Sequence, residues 1–198
     1  MRLQGSADAG ADTTYTITGT GTMVLLQNTS AANATIVNNS NNGGAAGFLQ
    51  ISTTGPVSIG ALSGSGRTVF AGAGGGGVGV ELIVGGLGTD TTYSGRIINS
   101  AGGSGSLTKV GAGTLTLSGN NAHTLGTTIS GGTLSVSADN NLGNTSGGLT
   151  LLNGNTLIGA TLQTTASFTT NRATTLGTGG GTFSPDAGTT LTHGGVIA

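Results

Sequence analysis

Short runs in which apolar and polar residues alternate recur along the whole chain, and they leave few folds open to it. Tyr15-Thr16-Ile17, Phe48-Leu49-Gln50-Ile51, Val57-Ser58-Ile59, Val80-Glu81-Leu82-Ile83-Val84, Leu115-Thr116-Leu117, Leu134-Ser135-Val136 and Leu149-Thr150-Leu151 each read as a strand with alternate side chains inside. Clusters of Gly, Asn, Asp and Ser, such as residues 38–44 and Gly131-Gly132, separate them and signal turns. No segment sustains an apolar period of 3.6 residues, so an all-β fold with no significant helix is expected.

The strands can be set over one another. Gly113-Thr114-Leu115-Thr116-Leu117-Ser118 matches Gly132-Thr133-Leu134-Ser135-Val136-Ser137, with Leu115 and Leu134 offset by 19 residues. Leu149 follows Leu134 by 15, and Phe183 follows Leu162 by 21. Such spacing fits the coils of a solenoid that keeps its strands aligned while its turns vary. The expectation is one continuous right-handed parallel β-helix over residues 1–198. At ~20 residues per coil it has about nine or ten coils and a length of roughly 45 Å. A hairpin sandwich is disfavoured, because aromatics are 3% of residues and only Asn42-Gly43 and Asn153-Gly154 offer tight hairpin links.

Composition narrows the class further. Gly supplies 42 of 198 residues and there are only 2 Pro, but no strict triplet, so collagen is excluded. Charged residues are 6%, hydrophobic residues 34% and net charge −1, which is unlike a chain disordered by self-repulsion. The cations Arg2, Arg67, Arg96, Lys109 and Arg172 are scattered, so no nucleic-acid partner is expected. Without cysteine there is neither a disulfide framework nor a thiolate metal site. No apolar run reaches the ~18 residues of a membrane-spanning helix. Met1-Arg2-Leu3-Gln4-Gly5 lacks the apolar stretch of a signal peptide, so an export signal is expected outside this piece.

Residues 106–143, SLTKVGAGTLTLSGNNAHTLGTTISGGTLSVSADNNLG, closely resemble the autotransporter-associated β-strand repeat, also called the passenger-associated transport repeat. The run departs from the family at His123, where an aromatic is more usual, and at Leu125, where Gly is. The segments 58–64 and 89–97 look like the connecting stretches of such passengers. The resemblance implies an extracellular β-helix exported through the outer membrane by a C-terminal β-barrel that lies outside this chain. Read from the residues themselves, Leu115, Leu117, Leu134 and Val136 line one inner wall, while Thr114, Thr116, Ser135 and Ser137 face water.

The motifs that could carry chemistry are incomplete. Gly85-Gly86-Leu87-Gly88-Thr89-Asp90 nearly matches a calcium-binding nonapeptide, but tandem copies are missing and Thr92 stands where a large apolar residue is needed, so it reads as a turn. The glycine-rich run 72–77 has dinucleotide-loop spacing, yet a strand and not a helix follows it. Ser106-Leu107-Thr108-Lys109 fits the Ser-x-x-Lys pattern without its companion motifs, and Lys109 reads as an exposed lysine opening a coil. His123 and His193 lie seventy residues apart. The acidic residues Asp8, Asp12, Glu81, Asp90, Asp139 and Asp186 are too dispersed for the acid and base pair of a polysaccharide-cleaving β-helix. Asn120, Asn121, Asn140 and Asn141 read as turn formers or stacked ladders.

No catalytic, cofactor-binding or metal-binding residue is therefore assigned, and no cofactor is expected. The reading is a non-enzymatic scaffold or adhesin segment on a bacterial cell surface. Its expected partners are neighbouring coils of the same longer protein, further copies of itself and a host or cell-surface ligand. A self-assembling extracellular fibre is the alternative. Ice or carbohydrate binding by threonine rows such as Thr13-Thr14 and Thr127-Thr128 ranks below it, and a polysaccharide-active enzyme ranks last. Because Thr190 to Ala198 breaks off inside an apolar strand pattern without a cap, the chain is expected to be an excerpt of a longer passenger.

Overall fold

The computed structural model describes residues 2–3, 13–26, 30–40, 47–53, 55–71, 79–153 and 158–198. Asp8, Asp12 and the glycine-rich run 72–77 lie outside the described residues, as does most of the Asn/Gly cluster after Ser40. The Asn42-Gly43 dipeptide and Gly154 lie outside them too.

Every strand pair among the described residues is parallel, which settles the choice between solenoid and hairpin sandwich. The strands stack into three main faces. The first face holds β1 (Arg2–Leu3), β3 (Thr22–Leu26), β5 (Phe48–Ser52), β7 (Thr68–Phe70) and β10 (Ile97–Asn99). The second is the longest, with β2 (Thr13–Gly19), β4 (Ser30–Ser40), β6 (Val57–Ser63), β8 (Val80–Val84), β11 (Gly105–Lys109), β13 (Thr127–Ile129), β15 (Leu149–Leu151) and β18 (Thr174–Leu176). The third holds β9 (Thr91–Tyr93), β12 (Thr114–Leu117), β14 (Gly132–Val136), β16 (Ala160–Thr164) and β19 (Thr182–Pro185). A separate pair joins β17 (Phe168–Thr170) to β20 (Leu191–His193). The only helical turn among the described residues is a 3-10 turn, Asp139–Leu142.

Inward side chains stack from coil to coil. On the third face Leu115 aligns with Leu134, Leu134 with Leu162 and Leu162 with Phe183. The three leucines are buried and Phe183 packs against them. Burial of each such side chain contributes roughly 1.5–3 kcal/mol, and the stacked rows are the main cohesive term.

Several expectations need correction. The coils number about seven, not nine or ten. Their pitch varies and is mostly longer than ~20 residues: on the second face Leu107 pairs with Thr127 but Ala31 pairs with Ile59, offsets of 20 and 28. At ~4.8 Å per strand the eight-stranded face spans about 34 Å. The 15-residue offset of Leu149 from Leu134 compares two different faces, since Leu149 pairs with Thr127 and Leu134 with Leu162. A coil carries up to three similar strands, so look-alike runs recur within one turn. The supposed connecting stretches 58–64 and 89–97 themselves carry strand residues. Asn38, Asn39 and Ser40 close β4 rather than form a turn. Ser135 lies in the outward row between Thr116 and Gln163 yet is only 4% exposed, so it does not face water as Ser137 does.

Glycine is abundant partly because successive corners touch. Gly111 and Gly132 both have left-handed backbone, with φ of 72° and 64°. A Cβ on Gly132 would sit 2.4 Å from the carbonyl oxygen of Gly111, one coil below, so no other residue fits without backbone movement.

Candidate functional site

The first face stops short. Its last strand is β10, and among the described residues the following coils pass there through irregular backbone at residues 118–126 and the turn around 137–148. Buried backbone N–H and C=O groups still need partners there, and side chains supply them. The Asn121 side chain accepts a bond from the Ile97 amide through Oδ1 (2.8 Å) and donates through Nδ2 to the Asn141 carbonyl (2.6 Å). Asn141 Oδ1 accepts from the amides of Ser137 and Ala138, and its Nδ2 donates to the Gly119 carbonyl (2.9 Å). These two asparagines are the ladder between coils, while Asn120 and Asn140 are exposed.

Arg172 completes the repair. It is 2% exposed. Its Nε and Nη2 donate to the two carboxylate oxygens of Asp139 at 2.8 and 3.1 Å, and its remaining N–H groups reach the carbonyls of Asp139, Gly143, Asn144 and Gly147. A planar guanidinium with five donors suits a turn whose carbonyls converge from several directions.

His123 lies in the same interior, with no exposed surface. Its Nε2 is 2.9 Å from Thr127 Oγ1, and its ring meets the Phe70 ring edge to face at 6.3 Å between centroids. Burial, and then the charge of Arg172, push its pKa down to about 4. Thr127 therefore belongs to the interior and not to a flat outer row: it is 2% exposed and donates to the Leu142 carbonyl at 2.9 Å.

Lys109 overturns the reading of an exposed lysine. It is 1% exposed and occupies the inward position between Val84 and Ile129. Its Nζ donates to the carbonyls of Val110 (2.7 Å), Gly111 (2.9 Å) and, from the next coil, Gly131 (3.2 Å). Burial lowers its pKa to about 8, partly offset by the charge of Asp90. The signal was present in the sequence, since Lys109 shares the parity of Leu107. Ser106 has the opposite parity and half-faces solvent, so the Ser-x-x-Lys pattern is split across the strand. A third buried network surrounds Tyr93, whose hydroxyl donates to the Gly66 carbonyl and accepts from Thr68 Oγ1 (2.7 Å) and Asn38 Nδ2 (3.2 Å); burial pushes its pKa up to about 12.

The remaining candidates stay apart. The carboxylate of Asp90 accepts from the Thr114 amide at 2.7 Å, as a turn residue would. His193 bonds Thr174 Oγ1 at 2.8 Å, in a site of its own. Among the described residues no group of three or more His, Asp or Glu side chains could hold a metal ion. The outer faces carry stacked hydroxyls instead: Thr108, Thr128, Thr150 and Thr175 in one row of the second face, and Thr114, Thr133, Thr161 and Thr182 in one row of the third.

A parallel ladder that runs through all eight strands of the second face, hydroxyl-rich outside and cross-linked by polar side chains inside, defines a parallel β-solenoid. Residues 107–136 match the passenger-associated-transport-repeat family, which covers the Lys109 clamp, β12, His123 and β14. The chain is also 46% identical over 92 residues to the adhesin BmaC autotransporter of Brucella suis biovar 1 (strain 1330). That alignment covers 46% of this chain and 2% of the relative, so the chain spans only a small part of that relative's length. No solved structure matches the chain significantly.

Proposed function

We propose that the chain is a non-enzymatic spacer and display segment of a bacterial cell-surface passenger, exported through the outer membrane by a C-terminal β-barrel elsewhere in the parent protein. The observation that carries this reading is the combination of a continuous eight-stranded ladder with turns of unequal length. The ladder gives reach at low sequence cost, because each coil needs only its neighbours. The turns give variable surface for adhesion or self-association. The similarity to an adhesin supports the same assignment.

The test uses the full parent coding sequence in its own cells. An epitope placed between Ala101 and Gly102, both exposed in a turn after β10, should be labelled on intact cells. Deleting residues 105–176 should lower attachment to host cells or between bacteria while the protein remains exported. An epitope reached only after the cells are lysed would overturn the surface assignment, and unchanged attachment would overturn the adhesive role.

A further inference from the structure

We infer that His123 is an acid-sensitive latch: protonation of its ring releases the 139–147 turn of the next coil while the stacked faces on either side stay folded.

The geometry fixes which nitrogen holds the proton. Thr127 has one hydroxyl hydrogen and directs it to the Leu142 carbonyl at 2.9 Å. The 2.9 Å contact between Thr127 Oγ1 and His123 Nε2 must then be donated by the ring, so the neutral imidazole carries its hydrogen on Nε2. The chain His123 to Thr127 to Leu142 thus runs in one direction and ends on the 3-10 turn. A backbone bond from the Asn144 amide to the His123 carbonyl (2.9 Å) ties the same turn to the same residue.

A second proton has to enter at Nδ1, inside a site with no water-exposed surface on the histidine. The elements packed around the ring are β7, β10, β13, the 3-10 turn and the segment holding Arg172. β7, β10 and β13 contribute no charged side chain. Arg67 and Arg96 precede β7 and β10; Arg96 is exposed and donates to the Asn120 carbonyl, and Arg67 lies over the Phe48 ring. Asp139 is bound to Arg172. The charge that reaches the ring is the Arg172 guanidinium, which opposes an imidazolium, while a backbone hydrogen bond to Ile97 offsets only part of the cost. Arg172 also holds four carbonyls of the 139–147 turn, so the repulsion acts on that turn.

The direction with pH follows. An unfolded histidine takes up its proton near pH 6.5, the folded one only near pH 4. Between these values the unfolded or opened state binds more protons, so stability is complete above about 6.5 and is lost as the pH falls towards 4.

Melting of the 198-residue chain and of His123→Phe, which keeps an aromatic against Phe70, between pH 7 and 4.5 tests the latch. The wild type should lose roughly 5–10 °C more than the variant. Equal losses would overturn it, and so would an Asp139→Asn variant that abolished the difference, since the sensor would then be the carboxylate. Should His123→Phe fail to fold, nuclear magnetic resonance of the wild type decides. The His123 ring should titrate below pH 5 with the amides of Asn141, Asn144 and Gly147 losing exchange protection in step. Titration near pH 6.5, or protection that persists through the titration, would sink the proposal.

Discussion

Arg172 reaches back 33 residues to Asp139 and holds both carboxylate oxygens while its other donors close four carbonyls of the same turn. The pair spans two coils beyond β10, the last strand of the first face, so it substitutes for a ladder. Removing the guanidinium leaves a half-buried carboxylate and four carbonyls short of donors. Arg172→Met should therefore cost roughly 3–5 kcal/mol in chemical denaturation despite its similar bulk. Asp139→Asn should cost less, roughly 1–3 kcal/mol, because that carboxylate is partly exposed and the carbonyl contacts survive. Equal costs would mean that the ion pair, and not the carbonyl cradle, is the working part of the clamp.

The inner wall of the repeat gives a second contrast. Leu115 is buried between aligned neighbours on β9 and β14, whereas Thr116 stands in the outward row between Thr92 and Ser135. Leu115→Ala should destabilise by roughly 2–5 kcal/mol through the cavity it leaves, and Thr116→Ala should stay within roughly 0.5 kcal/mol. Urea midpoints with unchanged slopes would measure both.

The contrast between these two sites shows what the sequence could reveal. Period-2 alternation marked β8 and β15 to the residue and aligned Leu115 with Leu134, because a strand with one buried face writes its register into the chain. The clamps left no such mark. Asn121, Asn141, His123 and Arg172 become buried only because distant coils converge on them, and in a chain rich in Asn, Ser and Gly a polar residue between strands looks like surface. Even Lys109, whose parity pointed inward, was outweighed by the ordinary preference of lysine for water. The number of coils is hidden in the sequence for a related reason: turns of variable length separate strands that resemble one another both within a coil and between coils.

Lys109 makes a pH prediction opposite in range to that of His123. Its folded pKa of about 8 lies below the ordinary lysine value of 10.5. Between those limits the unfolded chain holds a proton that the folded chain has released, so stability should rise as the pH climbs from 8 to 10.5. Lys109→Met removes the titrating group and keeps the stem that fills the inner row. The difference in melting temperature between pH 7.5 and 10 should then be smaller in the variant than in the wild type. A variant that gains as much on alkalinisation as the wild type would show that the ammonium is better compensated by its three carbonyls than its burial implies.

Two glycines with the same backbone hand separate close approach from conformational strain. Gly132 and Gly180 both have positive φ, 64° and 72°. Around Gly180 a Cβ would meet nothing within 4 Å, so Gly180→Ala should cost only the left-handed conformation, roughly 1–2 kcal/mol. At Gly132 the added carbon would lie 2.4 Å from Gly111 O and 2.6 Å from Gly113 O, both backbone atoms of the preceding coil. Neither can rotate away as a side chain would, so the coils must part, and Gly132→Ala should cost roughly 3 kcal/mol or more. The same parting would lengthen the bond from Lys109 Nζ to the Gly131 carbonyl, so faster exchange should reach the β12 and β14 ladder in this variant and leave it untouched in Gly180→Ala. If the two alanines cost the same, the stacking of glycine on glycine at this corner is not what holds successive coils at their spacing.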